Sequence, residues 1–147
     1  MNNIKRITAL VMVMLMGILM FSGLTNVKAA QTAHVSISSA SANVGDEVTI
    51  TITASSDVKI ELCDIWIDYD ASILQYVNGF NTEGGGTGRL LSSDETSFKV
   101  VFKAINPGTA TISVNKSTSY TGSADEDFMS LTTSSGTVTV KAPASYS

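Results

Sequence analysis

Cysteine is nearly missing: Cys63 is the only one in 147 residues. No disulfide can form within the chain, so its stability has to come from a packed core. Histidine is as scarce, with His34 alone. A Ser-His-Asp site would have to use it, and no nucleophile elbow surrounds any serine. Proline occurs twice and tryptophan once, as Trp66. Helical periodicity is almost absent beyond the first thirty residues. Basic residues are few and lie partly at the start. Lys5, Arg6 and Lys28 fall in the leader described below, which leaves six basic residues against all 13 acidic ones. A net charge of −7 argues against nucleic acid and anionic membrane surfaces as partners.

The N-terminus has the order of a secretory signal. Lys5 and Arg6 precede an apolar run from Ala9 to Phe21, 13 residues long. Ser22 and Gly23 close it. Cleavage after Ala29 fits best, with Val27 and Ala29 in the two recognition positions. The alternative is an uncleaved anchor, but a spanning helix needs about 20 apolar residues. No cysteine lies near the cleavage region, which excludes a lipid-modified N-terminal Cys. The expected organisation is a signal peptide over 1–29, one domain over 30–142, and a linker or frayed tail over 143–147. The expected product is secreted, extracellular or cell-surface associated, and monomeric.

The remaining 118 residues alternate with period two between Gly, Asn, Asp and Ser turns. Strands are expected over 34–39, 47–54, 59–69, 74–77, 89–92, 97–104, 109–114 and 136–141, with weaker candidates over 117–120 and 128–131. Lys59 to Tyr69 reads as the longest. Asp70 to Ile73 reads as one tight helical turn, with Asp70 accepting the backbone N–H groups that follow it. Asn78 to Gly88 holds five glycines and reads as a mobile loop. No Lys-Ser or Lys-Thr follows it, so it is not a phosphate loop. The pattern predicts an all-β fold, a two-sheet antiparallel sandwich of about nine strands, jelly-roll-like.

Catalysis has little to build on. Asp64 and Asp68 share a strand face but sit roughly 13 Å apart at the usual rise, too far for a paired-carboxylate glycosidase. Cys63 reads as a small core residue. Asp125-Glu126-Asp127 lacks the spacing, central glycine and distal glutamate of a calcium loop. It reads as a solvated acidic turn, and a weak site completed by distant carboxylates stays open. No metal or cofactor is expected, and no enzyme.

Trp66 alternates with Cys63, Ile65 and Ile67, so it should point outward between Asp64 and Asp68. An exposed tryptophan in that setting suits a protein hot spot or a sugar platform; cover by the glycine-rich loop is the other reading. Lys99, Val101 and Lys103 share the outward face of another strand. If the two strands are neighbours, Asp64, Trp66, Asp68, Lys99, Val101 and Lys103 make one mixed partner-binding patch.

Two stretches resemble the cohesin family. One is Val44-Gly45-Asp46-Glu47-Val48-Thr49-Ile50. The other runs from Cys63 to Leu74 and carries Tyr69-Asp70 followed by the pair Ile73-Leu74. Phe98 to Ala104, the turn at Gly108, Thr109 to Ser113 and Gly136 to Val140 extend the likeness over most of residues 34–141. The segment after Val77 is shorter and richer in glycine than in typical cohesins, and the region before the last strand is compressed. The resemblance implies a non-catalytic module that binds a dockerin-type helical partner, with calcium carried by that partner, in polysaccharide-degrading or cell-surface assemblies. It implies that the strand bearing Asp64, Trp66 and Asp68 lies in the sheet that meets dockerin. Carbohydrate binding through Trp66 and a spacer role in a bacterial surface protein are the alternatives.

Overall fold

The computed structural model describes residues 30–143. The expected signal peptide and the last four residues lie outside that range. Twelve strands follow one another: β1 (Thr32–Ile37), β2 (Ala40–Asn43), β3 (Glu47–Ser56), β4 (Leu62–Asp68), β5 (Leu74–Asn78), β6 (Thr82–Gly84), β7 (Thr87–Ser92), β8 (Ser97–Ala104), β9 (Gly108–Val114), β10 (Tyr120–Gly122), β11 (Ser130–Ser134) and β12 (Gly136–Lys141). They form two sheets. One has the order β11-β1-β3-β8-β5. The other has the order β2-β12-β9-β4-β7-β6, with β10 also paired to β4.

The all-β sandwich is as expected, with twelve strands rather than about nine and three further differences. The sheets are not wholly antiparallel, because β1 pairs with β11 and β2 with β12 in parallel. The cause is a double change of sheet. β1 passes into β2 through Ser38 and Ser39, and β11 passes into β12 through Ser135. The first and last strands therefore run side by side across both layers. Gly136 stands at the crossing, where a Cβ would lie 2.2 Å from the Ser38 carbonyl oxygen. Only glycine allows that approach.

The second difference is the glycine-rich segment. It forms the β6–β7 hairpin, with Gly84 opposite Thr87 and Gly85 and Gly86 at φ +62° and +85°. Two central residues of positive φ make the tight turn that suits the right-handed twist of a hairpin. Gly88 lies under the Phe80 ring, 2.2 Å from where a Cβ would be. The third difference is length. β4 holds seven residues, and β3 is the longest strand with ten.

Alternation sends one side of each strand inward. Val35 and Ile37, Ile50 and Ile52, Cys63, Ile65 and Ile67, Val100 and Phe102, Ala110 and Ile112, and Val138 and Val140 are buried together. Burial pushes the Cys63 thiol up to about 11, so it stays neutral at ordinary pH and is a poor nucleophile. Phe102 anchors an aromatic cluster, with its ring centroid 4.8 Å from that of Tyr69 and 6.1 Å from that of Phe80. The Tyr69 hydroxyl donates to Glu83 at the sandwich edge. Burial, followed by that hydrogen bond, raises the Tyr69 pKa. The Asp70 turn forms as expected: its carbonyl accepts the Leu74 N–H at 2.9 Å, and its carboxylate accepts the Ser72 N–H at 3.0 Å. The Ser72 hydroxyl and N–H hold the Asp70 carboxyl below its ordinary pKa.

Candidate interaction surface

β4 sits inside its sheet, paired with β7 along one edge from Cys63 to Asp68. Its other edge changes partner. β10 covers Leu62 to Asp64, and β9 covers Ile67 and Asp68. Between them the connecting loop takes over. The Trp66 N–H donates to Ser119 Oγ at 2.8 Å, and the Trp66 carbonyl accepts the Asn115 N–H at 2.8 Å. The backbone at Trp66 is thus held on both edges, and alternation directs its side chain to the outer face.

Cross-strand pairing sets what surrounds it. Asp64 lies opposite Leu91, Trp66 opposite Arg89, and Asp68 opposite Thr87. Arg89 reaches diagonally to Asp64 and bonds it with both ends of its fork, Nε to Oδ1 at 2.8 Å and Nη2 to Oδ2 at 2.7 Å. Its guanidinium carbon stands 5.1 Å from the Trp66 ring centroid. One residue therefore neutralises a carboxylate that is 3% exposed and stacks on the neighbouring indole. The hydrogen bond to Asp64 raises the Arg89 pKa. Asp68 accepts the Thr87 hydroxyl at 2.9 Å. Trp66 is half-buried; the glycine-rich hairpin lies beside it in the sheet and sends Arg89 across its ring.

Toward β12 the same outer face becomes a row of threonines, with Lys141 at its end. Thr109, Thr111, Thr137 and Thr139 are exposed there, with Thr111 opposite Thr137 and Thr109 opposite Thr139. The Asp64–Arg89–Trp66 group is a fixed polar and aromatic centre beside a flat hydroxyl surface. Such a surface presents hydrogen-bonding groups to a partner with little side-chain reorganisation.

The structure brings Asp64, Trp66 and Asp68 onto one face. It separates them from Lys99, Val101 and Lys103, which belong to β8 in the other sheet. The expected six-residue patch is therefore not formed, since the two rows face away from each other across the sandwich. Period-two alternation tells inside from outside but not which sheet a strand joins. Asp64 differs too, being outward in register yet covered by Arg89. Arg89 itself was missed as a site residue. Arg89 opens the strand expected over 89–92, but the segment before it, 78–88, reads as a loop rather than as the arm that pairs it beside Trp66; the Gly85-Gly86 turn is the signal for that hairpin.

The acidic turn is tied into the fold. The Gln31 N–H bonds both Glu126 carboxylate oxygens at 3.2 Å, and Ser123 Oγ accepts the Glu126 N–H at 3.2 Å. Among the described residues no group of three or more His, Cys, Asp or Glu side chains is placed to hold a metal ion.

The family model of the cohesin domain matches residues 33–140. Solved cohesins share the fold. A cohesin of Clostridium acetobutylicum, CaCohA2, matches with a TM-score of 0.63 at 19% identity, over 76% of this chain and 92% of that one. The sixth cohesin of scaffoldin B from Acetivibrio cellulolyticus, solved in complex with a dockerin, gives 0.64 at 19% identity, over 75% and 99%. A non-cellulosomal cohesin from the archaeon Archaeoglobus fulgidus gives 0.64 at 13% identity, over 75% and 91%. No curated protein matches this chain.

Proposed function

This chain belongs to the cohesin family, and we propose that it is a dockerin-binding module whose contact surface is the outer face of β9, β4 and β7, centred on Trp66 and Arg89. Cohesin domains are non-catalytic binding modules. Solved relatives have been captured with dockerins bound. The observation that carries the proposal is the Asp64–Arg89–Trp66 group. Its charge is matched within the group and its ring is stacked, so little freedom is lost when a partner covers it. Tryptophan and arginine are also the side chains that most often dominate binding energy.

The test is capture of purified dockerin modules from the same genome on the immobilised protein, with calcium and with chelator. Calcium-dependent retention of at least one dockerin is expected. Failure of every dockerin to bind above background would overturn the assignment.

Export of the module is part of the proposal. Its support is the leader composition: Lys5 and Arg6, the apolar run 9–21, and Val27 and Ala29 before the expected cut. N-terminal sequencing of the exported form should begin at Ala30, and an intact Met1 on secreted material would contradict it.

A further inference from the structure

Next to the Trp66 surface the same sheet carries an aromatic corner. β10 places Tyr120 opposite Asp64 and Gly122 opposite Leu62. The chain turns through 123–127 and returns with Phe128, which is 73% exposed. Its ring centroid is 5.2 Å from that of Tyr120. A phenylalanine left this open gains little from folding. Nor is it on a frayed end: the next residue, Met129, is buried, and its N–H donates to the Thr121 carbonyl at 2.9 Å. The backbone presents the ring to solvent.

Between this corner and the start of β4 lies a groove of about 400 Å³, lined in part by Leu62, Tyr120 and Phe128 with Glu61 and Asp127. No basic side chain lines it. Glu126 is engaged with the Gln31 backbone. Leu91, 42% exposed and opposite Asp64, extends the apolar rim toward Arg89. The groove therefore adjoins the Trp66 surface on one face.

We propose that this groove is a second contact point for the same partner and takes a cationic amphipathic segment. An aliphatic side chain lies against the touching Tyr120 and Phe128 rings and Leu62, and a lysine or arginine covers Phe128 and faces Glu61 and Asp127. Aromatic rings alone would serve a sugar equally well. The carboxylates favour a cation, since sugar hydroxyls bond a carboxylate but leave its charge uncompensated, while a cationic segment meets both the charge and the π-face. The identity of the partner rests on the dockerin reading; the place and charge preference of the groove do not.

The test is a titration of the 15N-labelled protein, followed by amide shifts, with three probes: a helical Lys-Leu peptide, the same peptide with Glu for Lys, and a cello-oligosaccharide. The Lys-Leu peptide is expected to shift Leu62, Tyr120, Gly122 and Phe128. Its affinity should fall several-fold when salt rises from about 50 mM to about 0.5 M, because exposed charges are screened. It should fall at least about fivefold in Phe128→Ala and in Glu61→Gln/Asp127→Asn, whose melting should stay near wild type because the altered side chains are exposed. Equal binding of the Glu-Leu peptide, or oligosaccharide shifts at these amides with the Lys-Leu peptide silent, would overturn it. A dockerin arm separates the two claims. Dockerin binding lost in Arg89→Ala but unchanged in Phe128→Ala overturns the groove as a second contact and leaves the dockerin assignment standing. Lys-Leu binding at the groove with no dockerin bound supports the groove and overturns the assignment.

Discussion

Phe102→Ala is expected to lower the unfolding free energy by about 3–5 kcal/mol, the usual cost of emptying a buried phenylalanine site. Phe102 has no exposed surface and stands in β8 opposite Val48 and Tyr76. Its ring meets Tyr69, at the end of β4, and Phe80, before the hairpin. It is therefore where the two sheets and the β5–β7 crossing touch. The cavity left by alanine cannot close easily, because all three neighbouring rings are fixed elsewhere: Tyr69 by Glu83, Tyr76 by the Phe80 N–H at 3.0 Å, and Phe80 by Gly88 beneath it. A domain of this size has roughly 5–15 kcal/mol in total, so much of its margin would go. Phe102→Leu should cost clearly less, since it keeps most of the volume. Urea unfolding with an unchanged slope would measure both. A loss under about 1 kcal/mol in Phe102→Ala would show that the sheets are not joined through this residue.

Arg89→Ala is expected to reduce dockerin affinity about a hundredfold or more, a hot-spot effect, and to destabilise the domain as well. The two losses have one origin. Without the guanidinium, Trp66 loses the group stacked on it, and the Asp64 carboxylate loses both its cover and its bidentate partner. A charge-assisted fork of this kind is among the stronger hydrogen-bonded pairs, so its loss is destabilising. Arg89→Lys should restore stability in part, since lysine keeps the charge and loses the fork. Thermal melts of the three proteins, beside binding titrations, separate the contributions. Wild-type stability in Arg89→Ala would contradict the structural role given to the Asp64–Arg89 pair.

Much of the fold could be read from residue order, because period-two alternation is a local property. Val48, Ile50 and Ile52, or Phe98, Val100 and Phe102, announce their inward face within one strand. The Tyr69-Asp70 motif and the Asp70 turn are local too. Sheet membership is not. Nothing in Lys99-Val100-Val101-Phe102-Lys103 states that β8 pairs with β3 and β5 rather than with β4, so the expected patch joined side chains that the sandwich separates. The parallel pairing of β1 with β11 joins residues nearly a hundred positions apart, and an alternating strand reads the same in either direction. The site was half legible. Trp66 showed itself as the lone tryptophan on an outward register. Arg89 falls in an expected strand, but its place beside Trp66 was hidden because the five glycines before it read as a mobile loop, while Gly85 and Gly86 make the turn of the hairpin that places it.

The most direct test of the proposed surface is calorimetric titration of one bound dockerin into three proteins: wild type, Arg89→Ala, and Lys99→Ala/Lys103→Ala. The two lysines are exposed on β8, in the sheet opposite Trp66, and their removal should leave affinity within about twofold of wild type, as for surface changes outside an interface. Arg89→Ala should lose about a hundredfold or more. Full affinity in Arg89→Ala together with loss in the lysine variant would place the contact on the opposite sheet and contradict the account.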